Sequence, residues 1–149
     1  AAGLVGFGWL HKLATDENLR LPIIHHPAYS GGFVSPGVSG VADYLQLGLL
    51  PRIFGADMSI FVSYGGRFTF TEEQCKRISS YIKRPMGLMK AACPAPGGGV
   101  TDARLNELVE LYGNDTMFLV GGDMFRRGPD IEANMSYFVE RLTKLSERT

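Results

Sequence analysis

Short apolar runs alternate along the chain with amphipathic stretches, and the alternation predicts a succession of strands and helices. Residues 4–14 carry apolar side chains at helical spacing, and residues 21–26 form a short β-rich run that Pro27 ends. Residues 40–54 read as helical, with Leu45, Leu47, Leu49 and Leu50 available to a core. Pro51 interrupts that pattern and begins a second helical turn. A strand follows at 58–64, closed by Gly65 and Gly66. Thr71 is placed as an N-cap with Glu72 and Glu73 in the first turn of a helix that runs to about Lys83, where Arg84-Pro85 stops it. Residues 86–93 and 116–120 read as strands, and residues 101–113 between them as one capped helix. The last helix takes Pro129 at its first position and runs to Ser146.

The order is therefore α-β-α-β-α-β-α-β-α. Strict alternation implies a parallel sheet with right-handed crossovers. Four strands fit either a small open sheet or half of an eight-stranded barrel. Residues able to do chemistry follow all four strands, which favours the barrel. No internal repeat, linker or low-complexity tract divides the chain, so residues 1–149 read as one domain unit, long enough for a real core.

Charge changes the picture mainly by exclusion. Lys and Arg together number 15, as do Asp and Glu, so the formal net charge is zero. No basic stripe stands out, which argues against nucleic acid as a partner. No apolar run reaches the roughly 18 residues needed to span a bilayer, and no signal-peptide pattern is visible. Cys75 and Cys93 are isolated, with neither a disulfide framework nor zinc-ligand spacing. They read as reduced packing residues, and a cytoplasmic location is expected.

The candidate chemistry begins with two glycine clusters. Gly97-Gly98-Gly99 follows one apolar stretch and Gly121-Gly122 another. Glycines at the C-terminal ends of late strands let backbone N–H groups approach an anion, which is how α/β barrels build a phosphate pocket. The plainer alternative is a pair of tight turns before helices. His25 and His26 stand at the end of the first strand, and strand alternation sends them to opposite sides, so only one enters a barrel. Lys90, inside a strand pattern, is a weaker candidate. Asp123, Arg126 and Arg127 read as solvated loop charges, and Glu107 and Glu110 as an exposed helix face.

Several segments, in order and spacing, resemble a known family. They are Leu21-Pro22-Ile23-Ile24-His25-His26-Pro27-Ala28, Phe54-Gly55-Ala56-Asp57, Pro94-Ala95-Pro96-Gly97-Gly98-Gly99-Val100 and Glu110-Leu111-Tyr112-Gly113-Asn114-Asp115, followed by Gly121-Gly122. Together they resemble the RuBisCO large-subunit superfamily over nearly the whole chain, and within it the RuBisCO-like proteins rather than the carboxylases. The resemblance implies an α/β fold, the C-terminal half (strands five to eight) of a TIM-type (β/α)8 barrel, apparently truncated at its N-terminus. It implies Mg²⁺ for the full-length protein, held by a lysine and two acidic residues outside this chain. It also implies a homo-oligomer, because a missing N-terminal domain completes the site from a neighbouring subunit.

Carried over by position, Gly98, Gly99, Gly121 and Gly122 fall where the family binds a substrate phosphate. His26 matches a histidine facing the substrate, and free imidazole, with its unperturbed pKa near neutrality, is a side chain suited to proton transfer. Arg67 stands where carboxylases keep a catalytic lysine on a mobile loop, and Gly65 and Gly66 would let that loop hinge. Arginine holds an anion but serves poorly as a neutral base. The carboxylases grip a second phosphate with an arginine, a histidine and a serine; the matching positions here are Pro27, Ile60 and Gly97. The expectation is an enolase or isomerase acting on a singly phosphorylated sugar derivative through an enediolate, without bisphosphate carboxylation. The competing expectation is a catalytically inactive half-barrel that binds phosphate and self-associates through its unpaired strand edges. A third, an unrelated flavodoxin-type domain, would want its phosphate loop after the first strand, where Pro27-Ala28-Tyr29 stands instead.

Overall fold

A computed structural model describes residues 1–34 and 40–147. Its centre is a parallel sheet of three strands in chain order, β1 (Ile24–His25), β2 (Met58–Val62) and β3 (Cys93–Gly97). Ile24 pairs with Met58, and the β2–β3 register runs from Met58 opposite Cys93 to Val62 opposite Gly97. Helices α1 (Ala2–Val5) and α2 (Phe7–Ala14) precede β1. The predicted single helix is broken at Gly6, whose φ of 85° is left-handed. Helix α3 (Gly31–Val34) follows β1, and α4 (Leu50–Ile53), α5 (Glu72–Lys83), α6 (Leu105–Tyr112), α7 (Gly122–Arg126) and α8 (Ile131–Ser146) complete the described residues.

The helix layer forms where the sequence places apolar residues at i, i+3, i+4 and i+7. Helix α5 buries Cys75, Ile78, Ser79 and Ile82, and α6 buries Leu105, Leu108, Val109 and Tyr112. They close on Phe61 from β2 and Phe138 from α8, and the Phe61 and Tyr112 rings meet edge-on at 5.8 Å. Each such burial contributes about 1.5–3 kcal/mol. Thr71 caps α5 as expected: its hydroxyl accepts from the Gln74 amide, and the Gln74 side chain accepts from the Thr71 amide.

Pro51 has a larger effect than a restarted turn. The chain before it winds as a π-helical segment, Tyr44–Leu49, before α4 begins. The proline has no N–H for the carbonyl four residues back, at Leu47. That carbonyl accepts instead from Ser59 Oγ at 2.7 Å. A break in one helix thereby becomes a tie to β2.

The third strand lies later than the sequence predicts. Residues 86–93 were expected as the strand, but Met86 and Met89 close a turn and the strand is Cys93–Gly97. Two prolines argue against a strand there, yet their placement is permissive. The Cys93 amide faces β2 and donates to Asp57 O at 2.8 Å, whereas Pro94 and Pro96 are asked only for carbonyls. Those carbonyls accept from Met117 N at 2.9 Å and Leu119 N at 3.1 Å. With no N–H on Pro96 to return a bond, the expected fourth strand at 116–120 is reduced to a single parallel bridge, Gly97 to Leu119. The helix predicted at 101–113 opens with a 3-10 turn, Asp102–Arg104, and ends at Gly113 with φ 77°.

Candidate active site

The C-terminal ends of the strands open on two adjoining cavities. One, of about 650 Å³, is lined by His26, Arg67, Pro27, Ile60, Gly97 and Gly98 among others. The second, of about 470 Å³, is lined by Gly98, Gly99, Gly121, Gly122, Asp123 and Arg126 among others. Gly98 and Leu119 belong to both. The structure thus gathers the four glycines around one space and sets His26 and Arg67 around the next.

Gly98 and Gly99 adopt φ 78° and 71°, conformations that favour glycine. Among the described residues, no protein acceptor takes the amide protons of Gly98, Gly99 or Gly121. Backbone donors left open beside a cavity are what an anion can use. Near them, Asp123 is committed elsewhere: Oδ2 accepts from the Asp102 amide at 2.8 Å and Oδ1 lies 3.5 Å from Arg126.

His25 and His26 take opposite sides, as alternation requires. His25 is 2% exposed and faces the helix layer, with its ring 6.1 Å from Phe7. Ser59 Oγ gives its proton to Leu47 O, so at 3.2 Å it accepts from His25 Nδ1, which fixes the tautomer. Nε2 is buried without a partner among the described residues. Burial first, then the N-terminal ammonium and His26, lower the His25 pKa from 6.5 to about 4. His25 is a neutral structural histidine.

His26 is exposed at the cavity, where its Nδ1 accepts from the Ala28 amide at 3.1 Å. A backbone N–H can only donate, so Nδ1 is unprotonated and Nε2 carries the hydrogen. In this state His26 is a donor able to polarise a carbonyl or hold an oxyanion. Arg67 is also exposed, its guanidinium 4.7 Å from the Phe68 ring centroid.

Gly65 and Gly66, the expected hinge, stand in close contact with the neighbouring turn and Arg104. A Cβ on Gly66 would stand 3.0 Å from Gly99 N, and one on Gly65 would meet Arg104 Nη1 at 2.5 Å. These glycines are required by close approach between two turns. Lys90 also departs from expectation: it is exposed in the turn before β3, and its carbonyl accepts from Arg52.

Sequence reasoning missed the ionic framework behind the cavities. Glu107, on what the sequence presents as an exposed helix face, pairs with Arg104 at 2.9 Å and accepts from the Tyr64 hydroxyl. Those donors hold its carboxyl below the usual range, while burial, then Glu107, push Tyr64 up to about 12. Asp102 accepts from Tyr137 at 2.7 Å and Arg141 at 3.1 Å, and Arg127 stacks on the Tyr137 ring at 3.4 Å. The three-residue spacing of Arg104 and Glu107 could have revealed that pair. Nothing local signals Tyr64.

Among the described residues, no group of three His, Cys, Asp or Glu side chains is placed to hold a metal ion. The donor set of the described residues does not fit a Mg²⁺ site. No described helix is long and apolar enough to cross a membrane.

No family model matches the chain. It is 33% identical over 135 residues to ribulose bisphosphate carboxylase-like protein 1 of Rhodopseudomonas palustris, covering 91% of this chain and 35% of that protein. It is 32% identical to 2,3-diketo-5-methylthiopentyl-1-phosphate enolase of Exiguobacterium sibiricum, covering 78% of this chain and 29% of the relative. Among solved structures, the Rubisco-like protein of Alicyclobacillus acidocaldarius superposes with a TM-score of 0.88 at 28% identity, over 97% of this chain and 36% of that one. The chain belongs to the RuBisCO-like proteins and spans about a third of the length of the relatives it matches.

Proposed function

We propose that this chain forms one side of an enolase or isomerase site for a singly phosphorylated sugar derivative. The fold reading that goes with it is the C-terminal half of a (β/α)8 barrel. The chemistry is proton removal next to a carbonyl to give an enediolate, without bisphosphate carboxylation. The amides of Gly98, Gly99, Gly121 and Gly122 anchor the phosphate. His26 donates from Nε2 to the developing oxyanion, and Arg67 adds positive charge above it. The observation that carries this reading is the four glycines around one cavity, with the amides of Gly98, Gly99 and Gly121 unclaimed among the described residues, beside a second cavity holding His26 and Arg67.

Two further facts support it. Pro27, Ile60 and Gly97, which stand where carboxylases grip a second phosphate, all line the larger cavity. They offer no cation or side-chain donor of their own, so a second dianion held against them would lose hydration on that wall without replacement. The relatives include one named as an enolase and one, from Rhodospirillum rubrum and 31% identical, named 5-methylthioribulose-1-phosphate isomerase.

Thermal melting tests the anion site. Inorganic phosphate is expected to raise Tm by about 2–4 °C over chloride at equal ionic strength. An unchanged Tm with phosphate up to tens of millimolar contradicts the reading.

A second reading, an inactive half-barrel that pairs with a copy of itself, is favoured by the sheet's uncovered side. Ile24 is 44% exposed, and Ile60, Val62 and Leu119 are only partly buried around the open cavity. Light scattering that gives the mass of two chains supports it; a monomer at all concentrations removes it.

A further inference from the structure

The turns at the ends of β2 and β3 touch backbone to backbone. A Cβ on Gly99 would come within 2.7 Å of Gly66 N, the reciprocal of the Gly66 approach. Behind this contact lies one guanidinium. Arg104 Nη1 donates to Tyr64 O at 2.7 Å and to Gly99 O at 3.1 Å. Nη2 and Nε donate to the Glu107 carboxylate at 2.9 and 3.3 Å, and the guanidinium lies 4.4 Å from the Tyr64 ring centroid. All three nitrogens of the group donate.

Two of these bonds fix peptide planes. In a trans peptide the C=O and N–H point in opposite directions. With the carbonyls of Tyr64 and Gly99 on the guanidinium, the N–H groups of Gly65 and Val100 are held facing away from it. The first plane belongs to the turn that carries Arg67. The second belongs to the loop whose glycines line the smaller cavity.

We propose that Arg104 is a positioning residue that locks the Arg67 turn to the Gly98–Gly99 loop, so that the two turns move as one body and an anion on one is felt at the other. Its planar fork matters: a lysine ammonium concentrates its donors at one point and cannot span two carbonyls and a carboxylate. The consequence for anion affinity rests on the proposed reading of Gly98–Gly99 as the phosphate loop. The mechanical coupling stands on the geometry alone.

The test compares the ¹⁵N-labelled chain with Arg104→Lys, and with Glu107→Gln as a milder variant that keeps the arginine. Without phosphate, the heteronuclear NOE of Gly65, Gly66, Gly98 and Gly99 is expected to fall together in Arg104→Lys and less in Glu107→Gln, with α5 unchanged. A fall at one turn only, or at neither, overturns the lock. With inorganic phosphate, the native chain is expected to shift Gly98 and Gly99 and also Gly65 to Arg67. In Arg104→Lys the second set falls silent and the dissociation constant rises about threefold to tenfold. Equal affinity with the coupled shifts retained overturns the proposal. A native chain that ignores phosphate overturns the anion reading, and the lock is then decided by the NOE.

Discussion

At the N-terminal ends of the strands, Arg52 is 4% exposed and spends all three nitrogens on one turn. It donates to the carbonyls of Arg84, Met89 and Lys90 at 2.6, 2.9 and 2.8 Å. At the C-terminal ends, Arg104 has a side chain 21% exposed and divides its donors between two turns and a carboxylate. The same side chain, with the same fork of donors, closes one end of the sheet and organises the other. The difference lies in what is left over. Around Arg52 the backbone carbonyls are satisfied, whereas around Arg104 the amides of Gly98, Gly99 and Gly121 have no protein acceptor among the described residues. At the Arg52 end the guanidinium ties a turn together as a structural seal; at the Arg104 end it stands behind glycine donors that line a cavity, the proposed anion site.

Arg52→Met breaks the seal most severely. It removes three hydrogen bonds from a buried guanidinium to the carbonyls of an exposed turn and is expected to cost about 3–4 kcal/mol in urea unfolding. Phosphate-induced shifts at Gly98 and Gly99 should survive in the fraction that remains folded. The same amides losing their response would mean that the two ends are not separable.

Acid probes the layer between them. The His25 pKa is lowered on folding from 6.5 to about 4, so the unfolded chain binds the extra proton first. Stability is complete above about pH 6.5 and is lost as pH falls toward 4, by about 3 kcal/mol at most. Unfolding titrations at pH 7, 5.5 and 4 read this directly. Replacing His25 with Phe should flatten that slope; a slope unchanged in the variant would assign it to other groups.

Gly99→Ala is the smaller and sharper perturbation. Its φ of 71° and the 2.7 Å approach to Gly66 N both oppose a side chain. A loss of about 1–3 kcal/mol is expected, and with it the phosphate-dependent rise in Tm.

How much of this was legible in the chain depended on how far each signal reached. Helix α5 was readable to within a residue because its cap, charges and apolar spacing are all local. The glycine clusters were readable because left-handed backbone and close approach leave a mark on composition. Strand β3 was misplaced because a proline's effect depends on which side of a strand lacks a partner, and Pro94 and Pro96 face the side that needs only acceptors. The weak fourth strand follows from the same fact. Histidine alternation separated His25 from His26, but the tautomer of His26 came only from the Ala28 amide. Arg104 was invisible as an organiser, since Tyr64 lies forty residues away in sequence.

The central claim is that unclaimed glycine amides at the C-terminal ends of the strands bind an anion. The most direct measurement is a ¹H–¹⁵N titration of the chain with inorganic phosphate, using chloride at matched ionic strength as reference. Saturable shifts centred on Gly98, Gly99, Gly121 and Gly122, extending to His26 and Arg67, are the expected result. Shifts scattered over exposed lysines and arginines, with those four glycines unmoved, would contradict it.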